Sequence, residues 1–272
     1  MYLGIDIGGT KTLVASIDDN GVIIERLRFP TPKAYPDFVK ELETTVASLA
    51  TKKHGACCVG VPGRLDRKNG IGIAMGNLPW TNVPIRADVS RIAGCPAIIE
   101  NDAKLAGLSE SMLRREYHRV LFVTISTGIG VGFIVDQTID AALADSEGGQ
   151  VLVEQGGQTQ FWEDVASGEA IVRRYGKKAK DITDEATWKQ IAHDIAIGLS
   201  DLISVIQPEV IVIGGSVGSY FDRYEKHLLE TLHRYELPIT KVPPIVPASR
   251  PDDAVLYGCY DLAKAANGTT RT

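Results

Sequence analysis

Short apolar runs alternate with amphipathic stretches along most of the chain. Apolar residues 2–7 and 12–17 flank Gly8-Gly9-Thr10, which predicts a strand hairpin. Residues 22–29 continue as a third strand. Beyond Pro36, Phe38, Leu42, Val46 and Leu49 recur at helical spacing with charges on the other face. Cys57-Cys58-Val59-Gly60-Val61 reads as a buried strand, stopped by Pro62-Gly63. Residues 64–96 are richer in Gly, Pro and Asn and are expected to be irregular, with a short helix after Ile85. Ala97-Ile98-Ile99 is a further strand. Asn101-Asp102 then stands where a helix N-cap belongs, ahead of Ala103-Lys104-Leu105-Ala106.

The pattern then restarts. Val120–Ile125 is a strand, Ser126-Thr127-Gly128-Ile129-Gly130 a turn and Val131–Val135 a strand, repeating the layout of residues 2–17. Such a repeat predicts two related α/β halves around a cleft. The boundary is expected near residues 114–119, where Arg114-Arg115-Glu116 breaks the apolar pattern. Trp188, Ile191, Ile195, Leu199, Leu202 and Ile206 mark a long amphipathic helix ahead of Pro208. Val210–Ile213 is a strand ending at Gly214-Gly215-Ser216, and a last helix spans 253–267. The expected domains are 1–116, joined by that last helix, and 117–252. The polar tail, 267–272, is expected to fray.

Composition narrows the function classes. Of 272 residues, 44% are hydrophobic and 23% charged, the balance of a soluble globular protein. No run approaches the roughly 18 apolar residues of a membrane span, and the immediate entry into a strand argues against a secretory signal. A cytoplasmic protein is expected. A net charge of −5 argues against nucleic acid as the main partner but leaves room for a small phosphorylated ligand. Cys57, Cys58, Cys95 and Cys259 form no Cys-x-x-Cys pair and read as reduced core residues.

Three glycine turns follow apolar strands: Gly8-Gly9-Thr10, Gly128-Ile129-Gly130 and Gly214-Gly215-Ser216. Glycine lets backbone N–H groups approach an anion, and Thr or Ser adds a hydroxyl donor. One such turn could be simple hairpin chemistry; three, two of them in matching halves, favour a nucleotide site. Gly9-Thr10-Lys11-Thr12 lacks the first glycine of a P-loop, and Gly128 to Gly132 runs from strand into strand rather than into a helix, unlike a dinucleotide fingerprint. Asp6 beside the first turn could cap it, or hold Mg²⁺ through water. Asp102 could cap a helix, or orient a hydroxyl and take its proton during phosphoryl transfer.

With these elements placed, the sequence resembles the ROK family (repressors, open reading frames and sugar kinases) over nearly its whole length. Asp6-Ile7-Gly8-Gly9-Thr10-Lys11 resembles the family's first phosphate motif, and Ser126-Thr127-Gly128-Ile129-Gly130-Val131-Gly132 the second. Gly60-Val61-Pro62-Gly63 is similar to its sugar-side loop, Asn77-Leu78-Pro79-Trp80 to its Asn-Leu-x-x-Trp segment, and Glu100-Asn101-Asp102-Ala103 to its catalytic motif. Trp162-Glu163-Asp164-Val165-Ala166-Ser167-Gly168 resembles Leu-Glu-x-x-Ala-Ser-Gly, and Gly214-Gly215 the adenosine-side turn. The resemblance implies an actin-like, ribonuclease H-like ATPase fold and transfer of the ATP γ-phosphate to a hexose, glucose first. It implies Asp102 as base and Gly63, Asn77, Asn101, Glu147, Gln150 and Glu163 on the sugar side. Asp6, Gly8, Gly9, Thr10, Lys11, Thr127, Gly128, Gly130, Gly214 and Gly215 would serve ATP and its Mg²⁺. The family further implies a homodimer.

Two departures stand out. The family's Glu-x-Gly-His becomes Glu147-Gly148-Gly149-Gln150, and its downstream cysteine cluster has no counterpart in residues 154–162. The four zinc ligands of the family are missing together, so a zinc-free protein is expected. Other hexoses, N-acetylhexosamines or fructose are alternative acceptors, and polyphosphate an alternative donor. Arg173, Arg174, Lys177, Lys178 and Lys180 could line a polyanion groove, although a solvated helix face is the simpler reading. A sugar-sensing regulator without catalysis is a further alternative; with a strand at the very start of the sequence and a net charge of −5, no upstream winged-helix domain is expected.

Overall fold

The computed structural model describes residues 1–269 and separates into two compact units, Met1–Ser109 with the chain from Asp253 onward, and Glu110–Asp252. In the first unit the chain runs β1 (Tyr2–Ile7), β2 (Lys11–Ile17), β3 (Ile23–Pro30), α1 (Tyr35–Ser48) and β4 (Ala56–Val61). Then come β5 (Arg64–Asp66), β6 (Ile71–Met75), β7 (Leu78–Val83), α2 (Ile85–Ala93), β8 (Ala97–Asn101) and α3 (Asp102–Met112), whose last residues, from Glu110, belong to the second unit. The main sheet has the order β3-β2-β1-β4-β8, with the first three strands antiparallel and β4 and β8 parallel to β1. Parallel central strands are covered on both faces, which is why β4 is apolar and buried throughout. Leu3, Ile5, Phe38, Leu42, Val59 and Trp80 build the core on one side.

Residues 64–83 are not irregular as expected. They form an antiparallel sheet, β5-β6-β7, that buries Leu65, Met75, Leu78 and Trp80. Register shifts fall in both ladders, between Arg64 and Leu65 and between Ala74 and Met75, and they break the two-residue alternation that would have announced strands.

The second unit contains β9 (Arg119–Ile125), β10 (Ile129–Val135), β11 (Thr138–Ile139), β12 (Leu152–Gln155), β13 (Gln158–Phe161), α4 (Trp162–Ala166) and α5 (Gly168–Tyr175). It continues with α6 (Glu185–Ile206), β14 (Val210–Gly214), α7 (Gly215–Gly218), α8 (Phe221–His233) and β15 (Ile245–Pro247). Its sheet order is β11-β10-β9-β14-β15, with β14 and β15 parallel to β9. Order and directions match those of the first sheet, so the repeat in the sequence is a repeat in topology. Trp162, Trp188, Ile195, Leu199 and Tyr224 centre this unit's core.

The last helix, Ala254–Thr269, returns to the first unit and packs on β1 and β4. Its Leu256, Cys259 and Ala263 are fully buried. All four cysteines are free, and Cys57, Cys58 and Cys259 are core residues. Of the tail expected to fray, residues 270–272 lie outside the described residues, and the helix continues to Thr269. Among the described residues no helix is long and apolar enough to cross a membrane.

On α3, Glu110 is fully buried. Its carboxylate accepts the backbone N–H groups of Ser249 (3.0 Å) and Arg250 (2.8 Å) and pairs with Arg114 at 2.5 Å. Arg114 in turn donates to the Pro247 carbonyl and the Ser249 hydroxyl.

Candidate active site

The residues expected to bind and react fall on the two units, and each set has its own local scaffold. In the first unit, β1 delivers Asp6 to the turn before β2. That turn is closed by Gly8 N–H donating to the Lys11 carbonyl at 3.0 Å. Thr31 supports it from beside: its hydroxyl donates to the Gly8 carbonyl at 2.7 Å and lies 2.9 Å from the buried Thr12 hydroxyl. Thr10 and Lys11 are exposed at the turn, open to an anion. Asn77, between β6 and β7, packs over the same turn; a Cβ built on Gly9 would lie 3.1 Å from the Asn77 Cβ.

Asp102 opens α3. Asn101, just before it, is the true cap, its Oδ1 accepting the N–H groups of Ala103 (3.0 Å) and Lys104 (3.3 Å). Its amide donates to the Gly63 carbonyl at 3.2 Å, which ties the loop after β4 to the start of α3. Asp102 Oδ1 accepts the Ala103 N–H at 2.8 Å. Glu100, buried and paired with Arg67, holds the strand end below.

Asp6 carries the largest electrostatic signal in this set. Burial, then the negative charges of Asp102 and Asp253, push its carboxyl up from 3.8 to about 7, against the opposing pull of Lys11. A carboxylate in a negative surround suits a cation. Among the described residues no group of three or more His, Cys, Asp or Glu side chains could hold a metal ion. Mg²⁺, however, keeps several waters and uses one or two carboxylates, so Asp6 fits such an ion held through water.

In the second unit, the turn between β9 and β10 presents Ser126, Thr127 and Gly128, with Gly130 following in β10. The Gly168 N–H donates to the Ser126 carbonyl, fixing the start of α5 against this turn. Gly215 begins α7 at φ +84°, and a Cβ there would lie 2.4 Å from the Ile125 carbonyl oxygen. Only glycine lets Gly214-Gly215 pass this close to β9. A cavity of about 450 Å³ opens beside both turns, lined among others by Thr127, Val172, Lys178, Lys180, Ser216 and Tyr220. Its size is in the range of ligand pockets.

Glu147 precedes and Gln150 ends the 3₁₀ turn Gly148–Gln150, and both are exposed. The Gln150 side-chain amide donates to Glu163 Oε1. Glu163, in the first turn of α4, reaches the β10 turn through Oε2, which accepts the Ile129 N–H at 3.4 Å. Gln150, Glu163 and the second glycine turn therefore form one hydrogen-bonded group.

Some lining residues escaped the sequence reading. Lys178 and Lys180 belong to the basic run read there as a solvated face, yet they line the cavity. Arg174 of the same run pairs with Asp194, which is buried. Tyr220 and Val172 carry no motif. Asp253 bears on Asp6 from 247 positions later in the chain, beyond any local signal.

The sequence pattern of the ROK family matches residues 2–266. A glucokinase of Streptomyces coelicolor is 24% identical over 97% of this chain and 98% of its own length. An N-acetyl-D-glucosamine kinase of Yersinia pseudotuberculosis is 28% identical over 96% and 98%. The crystal structure of a ROK family glucokinase from Streptomyces griseus, in complex with glucose and AMPPNP, superposes with a TM-score of 0.82. It is 24% identical, with 97% of this chain and 99% of that one covered. The duplicated sheets are those of the actin-like ATPase fold, and the chain belongs to the ROK family.

Proposed function

We propose that this chain is an ATP-dependent hexose kinase that phosphorylates glucose, with Asp102 as the base. The observation that carries this reading is the pair Asp6 and Asp102: one buried carboxylate beside a glycine turn, the other at a helix start within reach of its field. A sugar hydroxyl is a poor nucleophile at neutral pH. Asp102 accepts its proton as the oxygen bonds to the γ-phosphorus and the bond to the ADP leaving oxygen breaks. Asp6 would hold Mg²⁺, which would supply positive charge against the phosphates.

In this reading Gly8, Gly9, Thr10, Lys11, Thr127, Gly128 and Gly130 hold phosphates, and Gly214 and Gly215 border the adenosine in the cavity lined by Tyr220 and Val172. Asn77, Asn101, Gly63, Glu147, Gln150 and Glu163 hold the sugar hydroxyls. The glucokinase and N-acetyl-D-glucosamine kinase relatives support the reaction class and leave the acceptor to be chosen by assay. The protein is expected to act as a cytoplasmic homodimer without zinc.

Lys178 and Lys180 beside the cavity favour a second donor, inorganic polyphosphate. A grid of ATP and polyphosphate against glucose, fructose, mannose and N-acetyl sugars tests both readings. Highest kcat/KM with ATP and glucose is expected. No phosphorylated sugar in any combination would sink the kinase reading.

A further inference from the structure

A charged side chain sealed inside a protein needs a reason, because removing it from water costs several kcal/mol that its partners rarely return in full. Asp194 on α6 is 1% exposed. Its Oδ1 accepts the Gln155 amide (2.6 Å) and the Gln190 amide (2.9 Å), and its Oδ2 pairs with Arg174 of α5. Arg174 closes the loop by donating to Gln155 Oε1 at 2.7 Å. The backbone carbonyl of Asp194 accepts the indole N–H of Trp162 at 3.0 Å. One residue thus joins β12, α4, α5 and its own helix.

These partners surround a single short stretch. Gln155 ends β12; β13 follows and runs directly into Trp162 and Glu163. Trp162 is fully buried, and its backbone N–H donates to the Val151 carbonyl at 2.8 Å. Its ring lies so close to α6 that a Cβ on Gly198 would come within 2.2 Å of it. The β12–β13 hairpin itself is a two-stranded piece that, among the described residues, pairs with no other strand. Such hairpins are marginal alone. Leu152 and Phe161, its cross-strand pair, are exposed and add little burial.

We propose that Asp194 and Arg174 are positioning residues that set Glu163, and through it Gln150, in the geometry that receives the sugar. The proposal rests on the reading of Glu163 as a hydroxyl ligand. An apolar pair of similar volume would hold the core as well or better, but it would not fix the direction of the chain entering Glu163, since dispersion contacts are non-directional and hydrogen bonds are not. A guanidinium meeting both a carboxylate and an amide carbonyl fixes two elements in a plane.

The test combines steady-state kinetics with hydrogen exchange on the full chain, using Asp194→Asn, Arg174→Lys and Arg174→Met, with Glu163→Gln as reference. Loss of the charge-assisted pair is expected to raise the sugar KM about tenfold, with the nucleotide KM unmoved. Amides of residues 152–163 should exchange faster, and Arg174→Lys should fall between wild type and Arg174→Met. If Asp194→Asn does not fold, the two Arg174 variants decide. Equal rises in both KM values, or faster exchange without a change in sugar KM, overturns the positioning role while Glu163→Gln still loses sugar affinity. An unchanged sugar KM in Glu163→Gln instead overturns the ligand reading itself, and the proposal with it.

Discussion

Gln150 donates its side-chain amide to Glu163, so the residue that stands in place of the family's histidine is already engaged with the carboxylate it would share a sugar with. An amide can donate and accept at once, and in this position it orients Glu163 without adding charge. Gln150→Ala is expected to raise the sugar KM about tenfold with a smaller change in kcat. Gln150→Glu should do worse, because two carboxylates within hydrogen-bond distance repel; its affinity should partly recover as pH falls and the pair takes up a proton. Sugar KM measured against pH for the two variants checks this.

Asp102→Asn keeps the shape and an oxygen for the Ala103 N–H but removes the carboxylate proposed as the base. A kcat loss of about a thousandfold is expected, with both KM values within a few-fold and an unchanged circular dichroism spectrum. Full activity in this variant would remove Asp102 from the chemistry.

The Asp6 carboxyl, at about 7, gives stability a particular pH dependence. In the unfolded chain Asp6 releases its proton near 4, while the folded protein keeps it to about 7. Between those values the folded state binds more protons, so stability falls as pH rises and levels off above the upper one. Asp6→Asn should flatten this slope. Thermal melts of both proteins from about pH 5 to 8 without divalent ions check the sign. Added Mg²⁺ should restore wild-type stability most at the alkaline end and leave the variant unmoved.

Gly215→Ala places a methyl group against the Ile125 carbonyl at a φ that side chains rarely adopt. A loss of about 2 kcal/mol is expected from strain, together with a raised ATP KM. Sugar binding, measured directly by calorimetry, should change little.

Glu110→Ala strips partners from Arg114 and from two backbone N–H groups, Ser249 and Arg250, around a fully buried carboxylate. A cost of about 3 kcal/mol is expected. Glu110→Gln should cost less, since its amide oxygen can still accept. Urea unfolding midpoints of the two variants give the comparison.

Much of this molecule was legible in the order of its residues. The hairpin at residues 2–17 and its echo at 120–135 gave both sheets their first strands, because buried strands are runs of apolar residues and glycine turns end them visibly. The small sheet at residues 64–83 was not legible, since two register shifts scramble its alternation. Asn101 and Asp102 looked interchangeable as caps. The structure separates them: Asn101 caps and Asp102 starts the helix. Asp194 gave no signal at all. One acid in an amphipathic helix looks like part of the polar face until Arg174, Gln155 and Gln190 are seen around it.

The return of the last helix to β1 and β4 also has a consequence for the order of events during synthesis. The first unit leaves the ribosome early but lacks Leu256, Cys259 and Ala263, which fill one face of its sheet. The second unit is complete in sequence before that helix exists. The half begun first is therefore finished last, and until then one face of its sheet is uncovered apolar surface.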